Sequence, residues 1–326
     1  MHPWNEPIFE GIRQRVDELP HALLIHGPQG VGKLALAERI AQLILCEAPA
    51  AASRPCGACE GCRWYLAGNH PDFRRVEPEA LAPKPDEGEG EDAAPSARSK
   101  AKPSTEIKID QVRALSGFLN VGSHRGGRRL ALVHPAEEMN LNAANALLKG
   151  LEEPPGGAMF ILVSHRPARL LPTIRSRCVA IPVPKPAADV AAAWLAAQGV
   201  KDAPRWLAYA GGAPLLAMAY AANPGPIERL IEAVASGRQV LPDTREDLEG
   251  LAEVLQKHGI DNALASVGLA PIYGLAKARV AANPDQAFEW ASFARRMGPA
   301  RALSRHPLNP RLFAADLQAD LPKPKK

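Results

Sequence analysis

No uninterrupted apolar run in this 326-residue chain approaches the roughly 20 residues that a membrane-spanning helix needs, even in its Ala-rich stretches. A helical membrane protein is therefore excluded. Strong charge of one sign is missing too: 39 Lys and Arg stand against 35 Asp and Glu, for a net +4. That mildly basic balance permits contact with nucleic acid without arguing for it. The short basic groups Arg125, Arg128 and Arg129, and Lys323, Lys325 and Lys326 at the tail, read as solvated surface. The opening Met1-His-Pro-Trp-Asn-Glu6 has neither a basic start nor an apolar core. No secretory signal is read there, and a reducing, cytoplasmic compartment is expected. Cysteine is scarce, with five residues in all.

Four of those five crowd together as Cys46, Cys56, Cys59 and Cys62, a span too short to be a disulfide core. The two-residue spacing in Cys56-Gly-Ala-Cys59-Glu-Gly-Cys62 lets successive thiolates turn onto one tetrahedral ion, and Cys46 arrives from the end of the preceding helix. A disulfide pair and scattered buried thiols are the rival readings; the spacing and a reducing compartment favour a structural zinc ion. Four thiolates close the coordination sphere and leave no position for water, so the expected role is bracing and not catalysis. Cys178 lies far away and belongs to another motif.

The cysteine run follows a phosphate-loop pattern. His21 to Ile25 reads as a short buried strand, Gly27-Pro-Gln-Gly30-Val-Gly32-Lys33 as the loop, and Leu34 to Leu45 as a helix, which is the context a phosphate cradle requires. Further on, Asp110 is expected to cap a helix from Gln111 to Leu119. Arg129–Val133 and Met159–Val163 read as buried strands, with a helix from Asn142 to Leu151 between them, stopped by Pro154-Pro155. Strands alternating with helices predict a parallel three-layer α/β sheet. The length implies two or three domains. We expect 1–181 to be a nucleotide-binding-like domain with a zinc module at 46–62 and a Pro-, Gly- and charge-rich flexible insertion at 78–104. A small helical domain at 182–224 and an all-α domain at 225–326 should follow. In that last domain Leu251, Val254, Leu255, Phe288, Trp290 and Phe293 form apolar stripes that serve core or interface equally well.

The zinc run just after the phosphate-loop helix, Asn69-His70-Pro71-Asp72, Asn145-Ala-Leu-Leu-Lys149, Leu151-Glu-Glu-Pro-Pro155 and Ser176-Arg177-Cys178 occur in an order that resembles bacterial DNA polymerase III clamp-loader subunits of the AAA+ class. The likeness covers roughly the first 180 residues strongly and the rest by architecture alone. It implies a RecA-like AAA+ domain, a lid and a C-terminal collar that holds a ring together. The implied partners are gamma/tau ATPase subunits and a delta subunit, with a sliding clamp and primed DNA reached through the complex, and no membrane.

That family contains ATP-hydrolysing motors and a companion that completes the ring without being its motor. An NTPase needs backbone amides and a Lys on the phosphates, a hydroxyl on magnesium and a carboxylate after the second strand. Gly27, Gly30, Gly32 and Lys33 are present, but Leu34 stands at the hydroxyl position, and His134-Pro135-Ala136 stand where the motors place adjacent acids. Glu137 and Glu138 come later, on an expected exposed turn or helix start. The motors' lid arginine has no counterpart around Ala210-Gly-Gly-Ala-Pro214-Leu215. These departures imply the companion kind of subunit, with ATP held at most without hydrolysis. Arg177 survives, and the resemblance implies that it reaches in trans into a neighbour's nucleotide site; a salt bridge to a local carboxylate is the alternative. Two rival functions are an autonomous gamma/tau-like ATPase, against which Leu34, His134 and Pro135 count, and a zinc-dependent nucleic-acid module, whose basic-aromatic surface would be only Arg63, Trp64 and Tyr65.

Overall fold

A computed structural model describes residues 1–82, 103–123, 127–225, 228, 287–289, 291–293 and 295. The chain divides into two units, one formed by 1–28 and 32–184, the other by 29–31 and 185–326.

In the first unit the chain runs α1 (Glu6–Arg13), β1 (Ala22–His26), α2 (Lys33–Leu45), α3 (Glu60–Leu66), β2 (Phe73–Val76), α4 (Ile109–Asn120), β3 (Arg129–Val133), α5 (Leu141–Glu152), β4 (Ala158–Ser164), α6 (Pro172–Arg175) and β5 (Val179–Pro182). All five strands are parallel, in the order β2-β3-β4-β1-β5. The three apolar runs expected as strands are the three interior ones. All five residues of β3 and all seven of β4 are buried, as continuous apolar sequence in a parallel sheet requires.

Pleating sends alternate residues to opposite faces. Leu24, Ala131, Val133, Phe160 and Leu162 join Val112, Leu115 and Leu119 of α4 and Leu147 and Leu151 of α5 in one core cluster. The intervening Leu23, Ile25, Leu130, Leu132, Ile161 and Val163 are also buried, on the opposite face, as are Leu36, Ile40 and Leu43 of α2, which packs against β1, β3 and β4. The result is the three-layer arrangement that the alternation of elements predicts.

Two local expectations change. Asp110 does not cap α4: the helix starts at Ile109, and Gln111 Oε1 accepts the Lys108 N–H at 2.8 Å. Asp110 sits in the first turn, where its charge favours the helix dipole. Arg129 is not solvated surface but 4% exposed. Its Nε lies 3.3 Å from Asp72 Oδ1, its Nη1 donates to the Phe118 carbonyl, and its guanidinium lies over the Phe118 ring at 4.6 Å. Ser123 Oγ donates to the other Asp72 oxygen at 2.9 Å. A buried charge without its partner costs several kcal/mol, so this pair acts as one tie between β3 and the segment entering β2. Arg128 donates instead to the Leu19 and Asp17 carbonyls.

In the second unit α7 (Ala188–Ala197), α8 (Ala203–Tyr209) and α9 (Pro214–Ala222) pack through Leu195, Trp206, Leu207, Leu216 and Tyr220. Beyond them Phe293 is buried and Phe288 exposed. Residues 83–102 of the expected insertion, most of the expected collar, Arg125, the basic tail, and Leu251, Val254, Leu255 and Trp290 lie outside the described residues. No helix among the described residues is long and apolar enough to cross a membrane.

Candidate metal centre, phosphate loop and surface arginine

The end of α2 delivers Cys46, the following loop delivers Cys56 and Cys59, and α3 delivers Cys62 from its first turn. All five cysteines of the chain are free thiols. The four sulfurs of the cluster lie within 4.8 Å of one another, with Cys46 Sγ 3.6 Å from Cys56 Sγ and 3.9 Å from Cys59 Sγ. Four sulfurs at about 2.3 Å from a tetrahedral ion stand about 3.8 Å apart, so the cluster fits such an ion. Backbone N–H groups reinforce it. Cys56 donates to Cys46 Sγ, Cys59 to Cys56 Sγ, and both Cys62 and Glu47 to Cys59 Sγ, at 3.3–3.5 Å. The N–H groups of Ala58 and Cys59 draw the Cys56 thiol down to about 6, whereas burial pushes Cys46 and Cys62 up. A dication held among them would reverse that upward push by favouring thiolate at every position.

Gly61 shows why α3 sits so close to the end of α2: a Cβ there would lie 2.4 Å from the Leu45 carbonyl oxygen. Behind it the Asn69-His70-Pro71-Asp72 segment connects module to sheet. The His70 ring is buried edge-on to Trp64 at 6.1 Å, its Nδ1 accepts the Asp72 N–H at 3.0 Å, and Asp72 holds Arg129. The sequence order exposed this motif, but its bracing role depends on partners distant in the chain.

The phosphate loop follows β1. Gly27, Gly30 and Gly32 all have positive φ, and a Cβ on Gly27 would lie 2.2 Å from the Val183 carbonyl oxygen, so only glycine fits there. Gly32 is the N-cap of α2, whose first turn begins with Lys33. Lys33 is 2% exposed, and its Nζ donates to the Pro28 carbonyl. Leu34, half-buried, offers magnesium no ligand. Past β3, His134 is fully buried with its ring edge-to-face on His165 at 5.3 Å.

Glu137 and Glu138 correct an expectation. They occupy the turn Ala136–Glu138, but both are buried. Glu137 accepts the His165 N–H at 3.0 and 3.2 Å, and Arg166 pairs with Glu138 at 2.8 Å and with Glu137 at 3.8 Å. The loop after β4 supplies these partners, which is why local sequence made the turn look exposed. Where the sequence reading expects a lid arginine and finds none, Gly211 and Gly212 take positive φ and Lys185 Nζ donates to the Gly211 carbonyl at 2.5 Å.

Arg177 lies just after α6 with its side chain about one-third exposed. Nη1 donates to Thr173 O at 2.9 Å and Ser176 Oγ at 3.4 Å, and Nη2 lies 2.6 Å from Glu152 Oε1 at the end of α5. The local ion pair weighed against a trans role is therefore present in this chain. Next to it, burial raises the Cys178 thiol to about 11, so this cysteine is a poor nucleophile.

A parallel sheet with a glycine loop and lysine after its β1 strand has the form of a phosphate-loop fold, here backed by a four-cysteine module and carrying Leu34 directly after the loop lysine. The family described as DNA polymerase III, delta subunit matches residues 9–187, more than half of the chain, and the chain belongs to it. It is 43% identical over 222 residues to DNA polymerase III subunit delta' of Pseudomonas aeruginosa, covering 67% of this chain and 60% of that protein. With the subunit of the same name from Escherichia coli the identity is 34% over 196 residues, covering 60% and 52%. The chain thus spans only half to three-fifths of the length of these relatives. DNA polymerase III subunit tau of Salmonella typhimurium is 31% identical over 159 residues, covering 49% of this chain and 21% of tau. A gamma subunit-related protein of Thermotoga maritima aligns at 20% identity and a TM-score of 0.45, covering 95% of this chain and 97% of its own.

Proposed function

We propose that the chain is a delta prime-type subunit of the DNA polymerase III clamp loader, a non-hydrolysing ring member that helps load a sliding clamp onto primed DNA in the cytoplasm. Its partners are the gamma/tau ATPase subunits and delta. One contrast carries the reading: the chain keeps a surface arginine at Arg177 while its own loop lacks a hydroxyl at Leu34 and acids at His134-Pro135. A site built this way can complete a neighbour's chemistry but not perform its own. Arg177 acts as the finger that neutralises charge on the neighbour's transferred phosphoryl group. The four cysteines hold a structural Zn2+, and Gly27, Gly30, Gly32 and Lys33 retain the capacity to bind ATP phosphates without splitting them.

Assembly tests this reading. Mixed at micromolar concentration with gamma/tau and delta subunits, the chain should elute from a sizing column in one discrete hetero-oligomer. Separate elution of the components would contradict it.

A further inference from the structure

Among the described residues Glu152 is the carboxylate that meets Arg177, and it does so at a particular edge of the guanidinium. Nη1 is held by two acceptors from the α6 turn, Thr173 O and Ser176 Oγ. Among the described residues Nη2 meets Glu152 alone, at 2.6 Å. Nε and Nη2 together form the fork with which an arginine takes two oxygens of a phosphate side-on. Glu152 thus occupies, with one oxygen, the edge that a phosphate would use. The geometry points to Glu152 as a positioning residue for Arg177: its carboxylate keeps the guanidinium on this chain's own surface and yields the Nε/Nη2 edge to the phosphate oxygens of a neighbour's nucleotide. This rests on the trans role proposed above.

The physical terms favour exchange over a permanent bond. Side-chain exposures of 34% for Arg177 and 48% for Glu152 make this a solvent-screened pair, able to bias an equilibrium by a factor of about five at most. A polyphosphate brings more charge and two oxygens to the same fork, and so displaces a single carboxylate oxygen. Thr173 O is a backbone acceptor in a short helix and does not leave, so Nη1 serves as the fixed point about which Nη2 changes partner. Glu152 is itself the last residue of α5, ahead of Pro154-Pro155, which fixes where its carboxylate stands.

The test uses the reconstituted clamp-loader complex with wild-type chain, Glu152→Gln, Arg177→Ala and the double variant, each checked by sizing. Gln keeps the shape of Glu and removes its charge at a half-exposed position, so folding is undisturbed. At low salt and saturating ATP, Glu152→Gln should raise kcat about two- to fivefold, the range open to an exposed ion pair. The rise should vanish in the Arg177→Ala background and shrink toward unity as salt screens the pair. Should Arg177→Ala lower activity while Glu152→Gln leaves it unchanged, reduces it, or has the same effect without Arg177, the role of Glu152 is overturned and that of Arg177 stands. If Arg177→Ala changes nothing in an intact complex, the trans role fails first, and this inference falls with it.

Discussion

Replacing Arg177 by Ala should lower ATP hydrolysis at the neighbouring site it is proposed to serve by about a thousandfold or more, the range set by arginine fingers supplied in trans. Clamp loading should fall with it, while sizing shows the complex still assembled. The separation is expected because the side chain is one-third exposed and its acceptors among the described residues are an exposed serine, a helix-end carbonyl and a half-exposed glutamate. Lys at this position should rescue poorly, since an ammonium is a point charge without the planar fork that reaches two oxygens together. Unchanged hydrolysis and loading by an assembled Arg177→Ala complex would reduce Arg177 to its local pair with Glu152.

The second large effect concerns metal. Chain purified under reducing conditions should carry close to one zinc, and Cys62→Ser should bring that near zero. Cys62 is fully buried, and its backbone N–H also donates to Cys59 Sγ, so the position cannot be bypassed by water. A structural zinc site contributes on the order of 10 kcal/mol of apparent binding free energy at neutral pH. Its loss should therefore open the segment 46–69 to protease while leaving the strands of the sheet protected. Because binding displaces thiol protons, zinc retention should weaken as pH falls, and the upward push of burial on Cys46 and Cys62 enlarges that dependence. Wild-type protein without zinc would sink the metal reading.

What the sequence revealed and what it concealed follow a physical line. The interior strands β1, β3 and β4 were legible as apolar runs because parallel strands covered on both faces need no polar alternation. β2, Phe73-Arg-Arg-Val76, and β5, Val179-Ala-Ile-Pro182, were not read as strands. They are four-residue edge strands with exposed arginines or a terminal proline, and edges tolerate such residues. The cysteine cluster and the glycine loop were legible because their chemistry is local, held in spacings of a few residues. The burial of Arg129, Glu137 and Glu138 was not, since their partners Asp72, His165 and Arg166 stand 28 to 57 positions away. That Glu152 is the carboxylate paired with Arg177 was hidden for the same reason: the motif that contains it and the motif that contains Arg177 are separate in sequence and meet through the packing of α5 on α6.

The central claim is that this chain completes a neighbour's nucleotide site and does not run its own. Steady-state ATP hydrolysis by the isolated chain, by its gamma/tau and delta partners without it, and by the full mixture tests that most directly. We expect background turnover from the chain alone, low turnover from the partners, and a clear rise only when the chain joins them. Magnesium-dependent hydrolysis by the isolated chain that disappears on Lys33→Ala would contradict the account.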